Sequence, residues 1–357
     1  MTGLYIHVPF CRSKCGYCDF YSRVRQDQMA LYLQALSAEL ESWRGKGVLA
    51  DSLFFGGGTP SLLPAEEVAS LIECCRSVFS LEGEITLEAN PDTVTPESLL
   101  QFRQAGVNRL SFGVQSAVER ELKALGRRHT FARAAEAVSW ARQAGFENIS
   151  LDLMLGIPYQ TAGTLGETLD AMLALRPEHL SCYLLKIEEG TPFAHRQMER
   201  YCADGDEAAG LYLQTCQQLR EAGYQHYEIS NFCLPGFESR HNLKYWRCED
   251  YLGFGPAAHS CFGGKRFYHP ADLSRYLSGE APIEDGPAGD DSERIMLGLR
   301  LAEGISAGDL TPAFDWAGLC KKCLPYIKAG LMAQTGDRLF LTEEGFLVSN
   351  SLLSEIL

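Results

Sequence analysis

The sequence predicts an α/β protein: a partial (β/α)6-type, TIM-like barrel followed by a small C-terminal α+β domain, winged-helix-like in outline. Three observations predict it. From the start to about residue 233, short β-branched or aromatic runs alternate with longer amphipathic stretches. Several of those stretches stop at a glycine, as in Ala105-Gly106, Ala144-Gly145 and Ala222-Gly223, which is how helices commonly end. Polar and glycine-rich residues follow directly after the strands, where barrels carry their chemistry. Repeated strand–helix–strand units make a parallel sheet of right-handed crossovers. A doubly wound sheet shares that pattern, and the placement of the polar residues favours the barrel.

In order, strands are expected over residues 4–8, 52–55, 84–88, 109–114, 148–154 and 180–185, with a seventh over 225–230. The helical spacing predicts helices over 28–43, 65–79, 96–105, 131–144, 165–175 and 207–222. The texture changes after residue 237. Residues 237–270 are dense in aromatics, glycine and histidine and read as loops and short elements; 282–291, rich in proline, glycine and aspartate, reads as a linker. Beyond 292, apolar helical stretches lead to an alternating run over 338–342 and a last helix through Leu353. The expected division is a barrel over 1–233, an aromatic and glycine-rich connecting segment over 234–285, and a small domain over 286–357.

Composition narrows the function. Hydrophobic residues are 46% and charged residues 22%, ordinary for a globular protein, and no apolar run is long enough to span a membrane. Residues 1–10 carry neither a basic region nor an apolar signal core, which argues against secretion. With 32 Lys+Arg against 46 Asp+Glu, the net charge of −14 repels phosphate backbones and argues against a nucleic-acid partner. The 13 cysteines are odd in number and scattered, a pattern that suits the reducing cytoplasm.

Three of those cysteines stand apart. Cys11, Cys15 and Cys18 follow the first strand at C-x3-C-x2-C spacing and can curl around one 4Fe-4S cluster. Three ligands for four irons leave one iron open, which is what a catalytic metal site needs. The alternatives are a zinc site with a distant fourth ligand, or three unrelated thiols. Zinc sites favour paired C-x2-C halves, and the other such pair, Cys320 and Cys323, lies far away in the tail and reads as incidental. After the second strand comes Phe54-Phe55-Gly56-Gly57-Gly58-Thr59-Pro60-Ser61, whose glycines let a ligand approach the backbone. Alone, it suits a tight turn equally well. Glu88, Gln115 and Asp152 occupy later strand ends and would converge on one barrel rim. Arg127, beyond Gln115, could meet a carboxylate through a bidentate contact. Any one of these residues could instead cap a helix, so it is their joint placement that points to a site.

The cysteine spacing ahead of a glycine-rich strand end resembles the radical S-adenosylmethionine (radical SAM) superfamily. Over roughly residues 4–260 the chain looks like its coproporphyrinogen-dehydrogenase-like branch. The resemblance implies a barrel of the radical SAM type whose open iron is chelated by S-adenosylmethionine (SAM). The cluster there donates an electron to the sulfonium and releases a 5′-deoxyadenosyl radical. It places Tyr5, Tyr17, Gly57, Gly58, Thr59, Glu88, Gln115, Arg127 and Asp152 at cofactor-contact positions.

Two kinds of member compete within that branch. The oxygen-independent coproporphyrinogen III oxidase has a fourth cysteine two residues after the third, where this chain has Phe20. It also carries a long extension before the cluster, whereas Cys11 comes early here. Both departures argue against decarboxylation. The second kind binds heme and acts as a heme chaperone. His241-Asn242-Leu243-Lys244-Tyr245-Trp246 looks like the signature of those members. His241 would offer an axial imidazole, and Tyr245 and Trp246 flat surfaces for a porphyrin; a histidine satisfied inside a folded loop is the structural alternative. His259 follows soon after and reads as structural. The resemblance therefore implies a cytoplasmic protein that binds heme as cargo and passes it to acceptor hemoproteins, including respiratory ones at the inner face of the membrane, without spanning it. The competing readings are a radical SAM oxidoreductase acting on a tetrapyrrole, by coproporphyrinogen oxidation or heme methylation with ring opening, and a zinc-bound barrel of unrelated chemistry.

Overall fold

The computed structural model describes residues 1–357. Six strands lie side by side in chain order, all parallel: β1 (Thr2–Val8), β2 (Ala50–Gly57), β3 (Glu84–Ala89), β4 (Arg109–Gln115), β5 (Ile149–Leu155) and β6 (His179–Leu184). Helices Met29–Glu41, Ala65–Phe79, Pro96–Ala105, Phe131–Gln143 and Ala162–Ala174 form the crossovers. Local chemistry starts and stops them. Thr95, Thr130 and Thr161 each accept a backbone N–H at a helix start, and Gly106 ends its helix in the left-handed region at φ 111°. Ala134, Ala137, Val138 and Ala141 bury one helical stripe against the sheet.

Alternation along the strands sorts the two faces. Leu4, Ile6 and Val8 of β1, Ile85 and Leu87 of β3, and Leu110, Phe112 and Val114 of β4 belong to the hydrophobic core under the helices. The intervening residues turn inward and are largely polar: Glu88, Arg109, Ser111, Asp152 and Ser181 line the barrel's cavity. A polar lumen inside an apolar jacket is the frame of the site.

Beyond β6 the chain departs from expectation three times. The run at 225–230 is not a further parallel strand: β7 (Gln225–Glu228) pairs antiparallel with β8 (Asn231–Cys233), which in turn runs antiparallel to β6. The segment expected as a connection contributes helix Arg240–Trp246 and then β9 (Tyr251–Phe254), which pairs parallel with β1 on its free edge. Four buried residues are too few to show a period, so this strand left no pattern to read. Gly253 is required there, because a Cβ would sit 2.2 Å from the His259 carbonyl oxygen. Strands β10 (His259–Phe262), β11 (Lys265–Tyr268) and β12 (Ile283–Pro287) continue antiparallel, so the expected linker is half edge strand. The result is one open 12-stranded sheet with β12 and β7 at its edges.

The small C-terminal unit is α+β. Its strands β13 (Ile305–Ser306), β14 (Met332–Thr335) and β15 (Arg338–Leu341) form an antiparallel sheet ordered β13-β15-β14, with helices Trp316–Lys328, Glu343–Leu347 and Ser349–Ile356. No helix is long and apolar enough to cross a membrane.

Candidate functional site

The mouth of the barrel, at the C-terminal ends of the parallel strands, gathers most of the residues singled out from the sequence. After β1 the chain is anchored by Phe10, fully buried with its ring edge-on to Tyr32 at 5.5 Å. The loop closes at its base through Cys11 N–H to the Arg23 carbonyl at 3.0 Å and Arg23 N–H to the Pro9 carbonyl at 2.8 Å. Cys11, Cys15 and Cys18 project from it as free, half-buried thiols. Burial pushes the Cys18 thiol up, and the nearby Cys15 and Cys11 add to that against a lowering contact from the Phe20 backbone. The three sulfurs do not fall within 4.8 Å of one another.

Two of the thiols are tied together by one chain of hydrogen bonds. The Thr59 hydroxyl donates to Cys11 Sγ at 3.4 Å and accepts from Asn90 Nδ2 at 3.0 Å. Arg127 donates to Asn90 Oδ1, to the Gly113 carbonyl, and to Cys15 Sγ at 3.6 Å. Gly57 adopts φ 100° and directs its N–H to Glu88 Oε2 at 3.2 Å. A Cβ on Gly58 would lie 2.6 Å from the Phe10 carbonyl oxygen, so this glycine is needed to tuck the end of β2 under the cysteine loop. Gln115, at φ 73°, is buried with its Oε1 unpartnered. Tyr17 packs edge-on against Phe193 at 6.1 Å and lies beside Arg127.

Below the mouth lies a cavity of about 280 Å³, walled by Tyr5, Phe54, Glu88, Arg109, Asp152 and Tyr183, with Phe20 at its opening. Burial, with the Asp152 charge adding to it, pushes the Glu88 carboxyl up to about 8. Burial likewise raises Asp152 to about 6, against a hydrogen bond from Ser111 at 3.0 Å. Glu88 is therefore largely protonated at neutral pH, able to donate as well as accept.

The His241 motif sits at the other end. Helix Arg240–Trp246 plugs the floor of the barrel, against the N-terminal ends of the first strands. Glu84 receives the backbone N–H groups of Arg240 and His241 at 3.1 Å each. His241 is 0% exposed; its Nδ1 pairs with Ser52 Oγ at 3.0 Å and its Nε2 with the Tyr245 hydroxyl at 2.8 Å. Burial, with Lys244 and Arg109 nearby, pulls its pKa down to about 3, so it stays neutral. Both ring nitrogens are taken, and the expected axial role toward heme iron does not fit this arrangement. Tyr245 and Asn242 do line the central cavity from below, whereas Trp246 faces a separate cavity of about 310 Å³ beside the small domain. The three heme candidates thus share no surface. His259 is exposed and stacks on Tyr268 with 5.1 Å between ring centroids.

Comparison with known proteins agrees with this geometry. The Radical SAM superfamily profile matches residues 5–172 and the HemN C-terminal domain profile matches residues 292–348. The Mycobacterium tuberculosis protein named heme chaperone HemW is 36% identical over 99% of this chain and 94% of its own. The Escherichia coli protein of that name is 36% identical over 98% and 97%, respectively, and the Bacillus subtilis one 35% identical over 100% and 99%. This chain belongs to the radical SAM superfamily, in its HemW group. The solved structure of coproporphyrinogen III oxidase (HemN) from Escherichia coli, a radical SAM enzyme, shares the fold at TM-score 0.85, with 24% identity over 99% of this chain and 89% of that one.

Membership of the radical SAM superfamily implies SAM and an iron–sulfur cluster, which together supply one-electron reductive cleavage of a carbon–sulfur bond. The residues present fit that pair: three unpaired thiols on one loop, with a buried guanidinium, a protonatable carboxyl and an unpartnered amide oxygen beside them. Sequence reading missed Asn90, the link between Thr59 and Arg127, although it lies two residues past Glu88. It also missed Arg109, 2% exposed inside the barrel, which the inward alternation with Ser111 would have revealed.

Proposed function

We propose that this chain is a heme chaperone: it holds a 4Fe-4S cluster on Cys11, Cys15 and Cys18, binds SAM, and carries heme to acceptor hemoproteins. The observation that carries this reading is the match, over nearly the whole length of both chains, to proteins named heme chaperone HemW. The geometry supports the residue roles. Gly57, Gly58 and Thr59 shape the strand end under the cluster loop. Arg127 and Gln115 face the cofactor's polar groups, while Tyr5, Tyr17, Glu88 and Asp152 wall its pocket. The central cavity is too small for a porphyrin beside a sulfonium cofactor, so cargo docks at the mouth. There Phe20, 67% exposed, and Tyr183 and Leu184, each about 40% exposed, offer apolar surface. With all 13 cysteines free, the chain suits the reducing cytoplasm.

The test is anaerobic reconstitution followed by two assays on the same sample. Stoichiometric heme binding without conversion of coproporphyrinogen III is the expected result. Robust decarboxylation would overturn the chaperone reading in favour of a radical SAM oxidoreductase.

A further inference from the structure

Away from the barrel lumen, one more set of ligand atoms converges. Cys216 lies in helix Gly205–Glu221, His226 in β7, and Glu343 begins the helix Glu343–Leu347 of the small domain. Their Sγ, ring nitrogen and carboxylate oxygen all fall within 4.8 Å of one another, the one such trio of His, Cys and carboxylate groups in the chain. His226 Nδ1 is 4.0 Å from Cys216 Sγ and 3.8 Å from Glu343 Oε1, so a single nitrogen faces both partners. Tetrahedral zinc with such ligands sets neighbouring donor atoms about 3.3–3.6 Å apart, a few tenths of an ångström closer.

The ring is prepared for this role. It stacks on Phe232 at 4.2 Å and meets Phe346 edge-on at 5.3 Å, which fixes its plane. The Tyr212 hydroxyl donates to the Ile229 carbonyl at 2.9 Å, so toward His226 Nε2, at 3.4 Å, it can only accept. That contact suits the tautomer with its proton on Nε2, which leaves the Nδ1 lone pair toward the thiol and the carboxylate. Cys216 is 1% exposed, and the two other side chains form the solvent-facing rim. Arg220 also pairs with Glu343 Oε1, the oxygen that faces His226 Nδ1, so an ion here competes with that pair for the carboxylate.

The geometry points to a divalent transition-metal site of the zinc class on Cys216, His226 and Glu343, clasping the small C-terminal domain onto the barrel. A soft thiolate, an imidazole and a carboxylate suit Zn²⁺ rather than Mg²⁺ or Ca²⁺. Binding displaces the thiol proton to solvent and completes the coordination with water.

Co²⁺ is the probe, titrated into full-length protein whose Cys11, Cys15 and Cys18 are already occupied by the reconstituted cluster. The expected result is uptake of a single Co²⁺ with a thiolate-to-cobalt charge-transfer band. Cys216→Ser should lose the band. Glu343→Gln should keep it but bind more than about tenfold more weakly. Cys320→Ser, in the tail's other cysteine pair, should match the parent. Cluster absorbance reports folding in each variant; if Cys216→Ser fails to fold, Glu343→Gln decides. No stoichiometric uptake, or uptake unchanged in Glu343→Gln, overturns the site.

Discussion

The two ends of this barrel hold the same kinds of polar side chain in opposite states. At the floor, the charged and imidazole groups have their partners, although Ser239 Oγ and Trp246 Nε1 are left without one. His241 uses both ring nitrogens, and Lys244 Nζ donates to the Met1 carbonyl at 3.0 Å, to Asp51 at 3.1 Å and to Glu249 at 3.0 Å. At the mouth, three thiols form no disulfide, two of them touched only by Thr59 and Arg127, Gln115 Oε1 has no partner, and Glu88 and Asp152 are pushed well above the usual carboxylate range. Buried polar groups that are satisfied hold a fold together; those left unsatisfied or shifted mark where a ligand completes the set. A motif conspicuous in the sequence, His241 to Trp246, thereby belongs mostly to the first class.

That contrast can be broken by experiment. The largest effect is expected at the mouth: Cys11→Ala, Cys15→Ala or Cys18→Ala should abolish the brown absorbance of the reconstituted protein, while His241→Gln should leave it intact. If His241→Gln also bleaches the cluster, the two ends are not separable. At the floor, His241→Gln should instead cost stability, about 2–3 kcal/mol in chemical unfolding, because Ser52 and Tyr245 lose their buried partner. Phe20→Ala should weaken heme binding about tenfold, roughly 1.4 kcal/mol, if its exposed ring meets the porphyrin; unchanged affinity would remove cargo from the mouth.

The smallest effect is a pH slope. His241 has a folded pKa of about 3, below the ordinary histidine value of 6.5, so the unfolded chain binds the extra proton between those values. Its contribution to stability is complete above pH 6.5 and is lost as the pH falls toward 3. The melting temperature should therefore drop between pH 6.5 and 4.5, and drop less steeply in His241→Gln. Parallel slopes in the two proteins would mean that the ring titrates freely.

What the sequence revealed follows the range of the interactions. The cysteine loop, the glycine strand end and the six parallel strands rest on spacing within short windows, and all are found where the spacing put them. The role of His241 could not be read that way, because it is set by Ser52 and Glu84, 189 and 157 positions away. Strand β9 was invisible because four residues buried on both faces carry no alternation. Asn90 carried no signal of its own in the sequence, and only the fold brings Thr59 and Arg127 to its two ends.

The most direct test of the division between mouth and floor is a heme titration of the reconstituted protein run side by side on Phe20→Ala and His241→Gln. Weakened binding in Phe20→Ala with parental affinity in His241→Gln is the predicted result. Parental affinity in Phe20→Ala with lost binding in a folded, cluster-bearing His241→Gln would contradict it and return the heme iron to the floor.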